Sequence, residues 1–138
     1  MANTGHLWGA WAFVQESGDW DARNLANGAS TPSDAITGMD QKTACILGFK
    51  FLEDNTGAIS GDMVIKILGD VNGTNYEDFD MGNPFGVSVT PVQNDIVYYT
   101  LPIDVTAYND FKVSLTNNSG QIITCSIWIK FADMPAPS

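Results

Sequence analysis

Hydrophobic and polar positions alternate most regularly in the last third of the chain. Ile123, Cys125, Ile127, Ile129 and Phe131 fall on one side of an extended segment, and Ile122, Thr124, Ser126, Trp128 and Lys130 fall on the other. A period of two over this length is the signature of a β-strand. Phe111, Val113 and Leu115 alternate with Lys112, Ser114 and Thr116 in the same way. The turn residues Asn117-Asn118-Ser119-Gly120 between the two runs predict a hairpin.

The same pattern recurs upstream. Residues 44–52 place Cys45, Leu47, Phe49 and Phe51 together, and residues 62–68 do so with Met63, Ile65 and Ile67. Residues 86–90 form a short run ended by Pro91, and residues 95–101 set Val97, Tyr99 and Leu101 against Ile96, Tyr98 and Thr100. Residues 7–15 carry Trp8, Trp11, Phe13 and Val14, and this aromatic content favours a strand over a helix. Two polar segments, 16–43 and 69–85, are dense in turn residues, and residues 33–36 carry the signal for one short helical turn. Residues 1–6 read as a polar N-terminal arm and residues 133–138 as a flexible C-terminal tail. With no internal repeat or linker, some seven short strands predict a single all-β domain over 1–138, a sandwich or a barrel.

In a sandwich the outward positions of each sheet should be polar. Here they are mixed: Ala44, Ile46 and Leu52; Val64 and Leu68; Ile96 and Tyr98; Ile122 and Trp128. Something is expected to cover part of that surface, either the long loops or another subunit. Trp128, Ile122, Tyr98, Val64, Leu52 and Ile46 are therefore the expected interface residues, with Trp128 as central anchor.

Charge narrows the classes of partner. With 16 Asp and Glu against 6 Lys and Arg, the chain is not expected to bind nucleic acid or an anionic membrane surface. The first residues have no basic region, and no apolar run approaches the ~18 residues of a membrane span, so synthesis in a cytosol without a signal peptide is expected. Cys45 and Cys125 both lie on apolar strand faces and read as buried free thiols, with a disulfide as the minority alternative.

Candidate chemistry is sparse. Residues 69–80 open like a calcium loop, with Asp70, Asn72, Thr74 and Asp78 on ligand positions. The match fails where Asn75 replaces the turn glycine and Met81 replaces the closing glutamate, so no metal or other cofactor is expected; a calcium site of another kind is the alternative, since Asp70, Glu77, Asp78 and Asp80 supply enough oxygens. The carboxylates Glu16, Asp19, Asp21, Glu53, Asp54, Asp95 and Asp110 sit at loops and strand ends, where charged residues gather in any case. His6 is the one histidine and lies in the arm, which leaves a catalytic triad without support. The aromatics Trp8, Trp11, Trp20, Tyr76, Tyr98, Tyr108 and Trp128 are numerous for the length. Core packing must claim at least half of them; the rest suit a sugar-stacking surface or a protein interface.

Leu101-Pro-Ile-Asp-Val-Thr-Ala-Tyr108, followed by the run at 111–117, resembles the corner of jelly-roll sandwiches found in galactose-binding-like and carbohydrate-binding modules. In such a corner Asp104 or Thr106 bonds nearby backbone N–H groups and Tyr108 plugs the sandwich end. Taken whole, the chain also resembles the small jelly-roll proteins that decorate or join phage virions. These resemblances imply a jelly-roll-like antiparallel β-sandwich without catalysis. They point to a virion protein, a capsid decoration or head/tail accessory subunit, that oligomerises or docks on other virion proteins. A carbohydrate-binding or adhesin module, with a glycan as partner, is the alternative.

Overall fold

The computed structural model describes residues 7–39, 42–54, 57–77, 85–104 and 110–133. Among them it has ten strands: β1 Leu7–Trp8, β2 Ala12–Phe13, β3 Arg23–Leu25, β4 Ser30–Pro32, β5 Lys42–Leu52, β6 Met63–Gly69, β7 Phe85–Val89, β8 Ile96–Ile103, β9 Phe111–Asn117 and β10 Ile123–Asp133. No helix among the described residues is long and apolar enough to cross a membrane.

The strands form two antiparallel sheets packed as a sandwich. One runs β1-β10-β5-β8, with β2 and β3 continuing the edge that β1 begins along β10; the other runs β4-β9-β6-β7. The pairs β3·β10, β4·β9, β5·β8 and β6·β7 are nested about the connection from β6 to β7. A long antiparallel ribbon rolled on itself gives this nesting, and β5·β10 and β6·β9 then close the two sheets. That is the jelly roll.

The core is the alternation made physical. Leu47, Phe49 and Phe51 of β5 and Ile123, Cys125 and Ile127 of β10 face Met63, Ile65 and Ile67 of β6 and Phe111, Val113 and Leu115 of β9, all of them buried. Phe49 stacks on Phe51 at 5.9 Å and meets Tyr99 of β8 at 6.4 Å.

Three local expectations are corrected. Residues 117–120 do not close a hairpin, because β9 and β10 lie in different sheets. The buried Asn117 side chain redirects the chain there. Its Nδ2 donates to the carbonyls of Leu25 (2.8 Å) and Gln121 (2.7 Å), and its Oδ1 accepts from the Ser119 amide (2.9 Å) and hydroxyl (2.7 Å). Gly120 follows at φ +89°, where an added Cβ would also collide with the Ser60 hydroxyl, so glycine is required. Residues 33–36 are extended rather than helical: the Ser33 and Ile36 amides donate to the Val113 and Phe111 carbonyls, prolonging the β4 edge. The segment 16–43 holds β3, β4 and Trp20, which is buried and exchanges backbone bonds with Val14 and Ile127. Trp20 is thus core and not a surface aromatic.

Cys45 and Cys125 are buried, free thiols. On the β5·β10 ladder Cys45 pairs with Phe131 and Cys125 with Phe51, six rungs apart. At ~3.3 Å per rung this is ~20 Å, far beyond disulfide reach. Burial pushes both thiols up to about 12, which disfavours the reactive thiolate. Thiol reagent is therefore expected to label neither cysteine in the native protein and both in denaturant. Loss of both thiols in denaturant without reductant would contradict the structure.

Candidate functional site

The outward face of the sheet β1-β10-β5-β8 is built in cross-strand rows. Trp128, Gly48 and Thr100 form the central row; Lys130, Ile46 and Pro102 lie on one side of it, and Ser126, Lys50 and Tyr98 on the other, followed by Thr124, Leu52 and Ile96. Gly48 sets the shape of the central row. It has no side chain, so a trough opens between its bulky neighbours.

The N-terminal strands raise one wall of that trough. Trp8 pairs with Ala132 and Ala12 with Ile129, so the first strand advances four residues while β10 advances three. The extra residue is a bulge between β1 and β2. Without it Trp8 would point to the opposite face from Trp11 and Phe13. With it all three lie over the outward face. Phe13 stacks on Trp128 at 5.5 Å, and the Trp11 ring lies over Gly48, 3.5 Å from where a Cβ would stand. The Lys130 ammonium sits over both Trp8 and Trp11, 4.9 Å from each ring centre.

The result is an open apolar groove of about 280 Å³, lined by Trp11, Trp128, Tyr98, Thr100 and Gly48 with parts of Phe49 and Tyr99. Tyr98 is 68% exposed and Trp11 45%. Lys50 and Lys130 flank the groove, and no carboxylate lines it. In a chain of net charge −10 this face is locally cationic.

Of the six expected interface residues, Trp128, Tyr98, Leu52 and Ile46 share this outward face. Ile122, exposed, stands at its edge just before β10. Val64 is on β6, across from Ser88 and Thr116, and belongs to the outward side of the other sheet. The covering of Trp128 comes from Phe13 and Trp11 of the chain's own N-terminal strands. Gly48 carried no sequence signal, because its contribution is the absence of a side chain.

Several of the acidic groups hold turns and loops in place. Glu16 pairs with Arg23 at 3.3 Å, and Asp19 accepts from the Gln15 amide at 2.7 Å. Glu53 is fully buried and accepts from the Asn94 backbone, holding that residue at φ 54° in the turn before β8. Asp95 accepts from the Ile96 amide at 2.7 Å. Asp70 Oδ1 accepts from the amides of Asn72 (3.1 Å) and Gly73 (2.7 Å), and Asn72 Oδ1 from those of Thr74 (3.2 Å) and Asn75 (2.9 Å). Glu77 accepts from the Gly69 amide at 2.8 Å. The Asp70 and Asn72 bonds are Asx turns, and the Glu77 carboxylate ties the end of the loop back to its start. Tyr76 packs under Lys112, 4.8 Å away; burial first, then the nearby Asp110 and Asp70 carboxylates, raises its hydroxyl pKa. Asp78, Asp80 and Met81 lie outside the described residues, as do His6, Thr106 and Tyr108. Among the described residues no cluster of three metal-ligating side chains occurs. Because Met81 stands where a calcium loop needs its closing carboxylate, millimolar calcium is expected to leave the melting temperature unchanged; a large rise, erased by Asp70→Ala, would reveal a calcium site.

No family model matches the chain, and no curated protein does. Among solved structures, the coat protein of Tobacco streak virus aligns with 100% of this chain and 93% of its own, at 12% identity and a TM-score of 0.37. A likeness at that level says nothing of function.

Proposed function

We propose that this protein is a non-catalytic structural subunit of a virus or phage particle, a capsid decoration or head/tail accessory protein. It acts through contacts with copies of itself or with other virion proteins. The observation that carries the reading is the exposed aromatic groove on an outward sheet face of a jelly roll. Such a face is costly to leave in water and suits an assembly surface. Co-sedimentation with particles tests the reading: the wild type should travel with them, and a variant lacking the Trp128 side chain should travel less.

A second reading rests on the same groove. Tyr98, Trp11 and Trp128 offer ring faces, and Thr100 offers a hydroxyl, a combination that also suits a sugar ring. Glycan-array binding lost in Tyr98→Ala and Trp128→Ala would favour a carbohydrate-binding module. The apolar lining, with so few hydrogen-bonding groups, favours the protein contact.

A further inference from the structure

We infer that the aromatic groove over Gly48 receives the proline-bearing segment Met134-Pro135-Ala136-Pro137-Ser138 of a second copy of this chain. The inference rests on the assembly reading above and names the partner at that surface. Three observations carry it.

The first is chemical match. Segments with proline at alternate or near-alternate positions favour the polyproline II conformation, which is ordered in advance and loses little entropy on docking. Grooves walled by Trp and Tyr are the surfaces that receive them, because the flat rings pack against the pyrrolidine and the floor accepts small side chains. Residues 134–138 present Pro135 and Pro137 with Ala136 between them and carry no charged side chain. The groove offers Trp11 and Trp128 against Tyr98, over a floor of Gly48.

The second is reach, which decides between one chain and two. Trp128 lies five residues back from Asp133 along β10, or ~17 Å at ~3.3 Å per residue. Pro137 stands four residues beyond Asp133 and, fully stretched, extends at most ~14 Å from it. β10 itself runs away from the groove from Trp128 to Asp133, and Trp8 and Lys130 occupy the outward face between the two. A chain's own Pro137 falls short of its own Trp128 row; a neighbour's is under no such limit.

The third is charge. Lys50 and Lys130 flank the groove, while the chain as a whole is strongly acidic. Another copy approaching this face meets the locally cationic part of an anionic molecule, so the approach is favourable where most other orientations repel.

Gly48 makes the test clean. It sits at a central strand position with ordinary backbone geometry, and an added Cβ meets the Trp11 ring at 3.5 Å and Trp128 at 3.9 Å, both normal contacts. Gly48→Val places a β-branched residue in a strand, and its γ-methyls, which reach past the Cβ, fill the floor; a melting temperature at or above that of the wild type checks that the fold is kept. The probe is a synthetic peptide of residues 132–138, titrated into the full-length chain and followed by tryptophan fluorescence and calorimetry. The wild type should bind it, and the peptide should compete with self-association seen by light scattering. Gly48→Val should bind it about tenfold more weakly or worse. A full-length chain with Pro135→Gly and Pro137→Gly should self-associate less but still bind the wild-type peptide. The inference is overturned if the peptide binds Gly48→Val as well as wild type, if it fails to bind at millimolar concentration, or if a glycan rather than the peptide proves sensitive to Gly48→Val. Self-association that survives both sets of substitutions would sink the inference and leave the assembly reading standing. A wild type that neither self-associates nor binds particle components would remove the assembly reading itself.

Discussion

Replacing Asn117 by alanine is expected to destabilise the fold by about 3 kcal/mol or more, lowering the melting temperature by roughly 10 °C. Asn117 is fully buried, and its amide uses both functional ends. Truncation leaves the Leu25 carbonyl without its Asn117 donor and the Ser119 amide without its acceptor, while the Gln121 carbonyl and the Ser119 hydroxyl keep each other. Each unsatisfied buried group costs about 1–3 kcal/mol, and the cavity adds to it. The position is sensitive for a topological reason as well. Asn117 ends β9 in one sheet, and its side chain bonds Leu25 at the end of β3 in the other. It therefore fixes where the chain leaves one sheet for the other. Asn117→Asp separates the two roles: it keeps the acceptor toward Ser119 but replaces the donors to Leu25 and Gln121. A loss at least as large as that of alanine is expected by thermal or urea denaturation. A variant as stable as the wild type would show that the crossing does not depend on this side chain.

This crossing also marks where sequence reasoning stopped. The faces of β5, β6, β8, β9 and β10 were legible because each buries one side, so period two survives in the residues themselves. The β9–β10 connection was not. Asn, Ser and Gly announce a reversal, but they do not say whether the next strand pairs with the last or packs opposite it. Strands β3 and β4 carry no such signal for another reason: at three residues each, with Asn, Ser and Thr, they are too short and polar for alternation to register. Their pairing is imposed by the exposed edges of β10 and β9.

The outward face was partly legible. Ile46, Leu52, Tyr98 and Trp128 were recognisable as apolar residues on the wrong side of their strands, and the registers bring them to one surface. Val64 matched the same pattern, but its strand belongs to the other sheet, and parity within a strand cannot reveal sheet membership. The bulge between β1 and β2 was invisible because an extra residue has no composition of its own. Its effect is large: it turns Trp8 to the same side as Trp11 and Phe13, and so builds the groove wall.

Trp128→Ala is expected to have the largest effect on assembly. Trp128 lies at the groove's centre, half-buried against Phe13 at 5.5 Å. It contributes to the outward face rather than to the interior, where Ile127 and Ile129 point. Truncation should leave the sandwich folded, although Phe13 is then without its stacking ring. It should weaken association by ~2 kcal/mol or more, the scale of an aromatic anchor at an interface centre. Truncating the exposed Ile122 at the edge of the same face should matter much less, because rim residues contribute little. Unfolding of Trp128→Ala would mean that the side chain belongs to the core.

The most direct measurement is light scattering coupled to size exclusion, on wild type and Trp128→Ala over a range of concentrations, with and without particle components. The account predicts a wild type that forms oligomers or joins particles, and a folded variant shifted toward free monomer. A wild type that stays monomeric at high concentration and binds no particle component would contradict it.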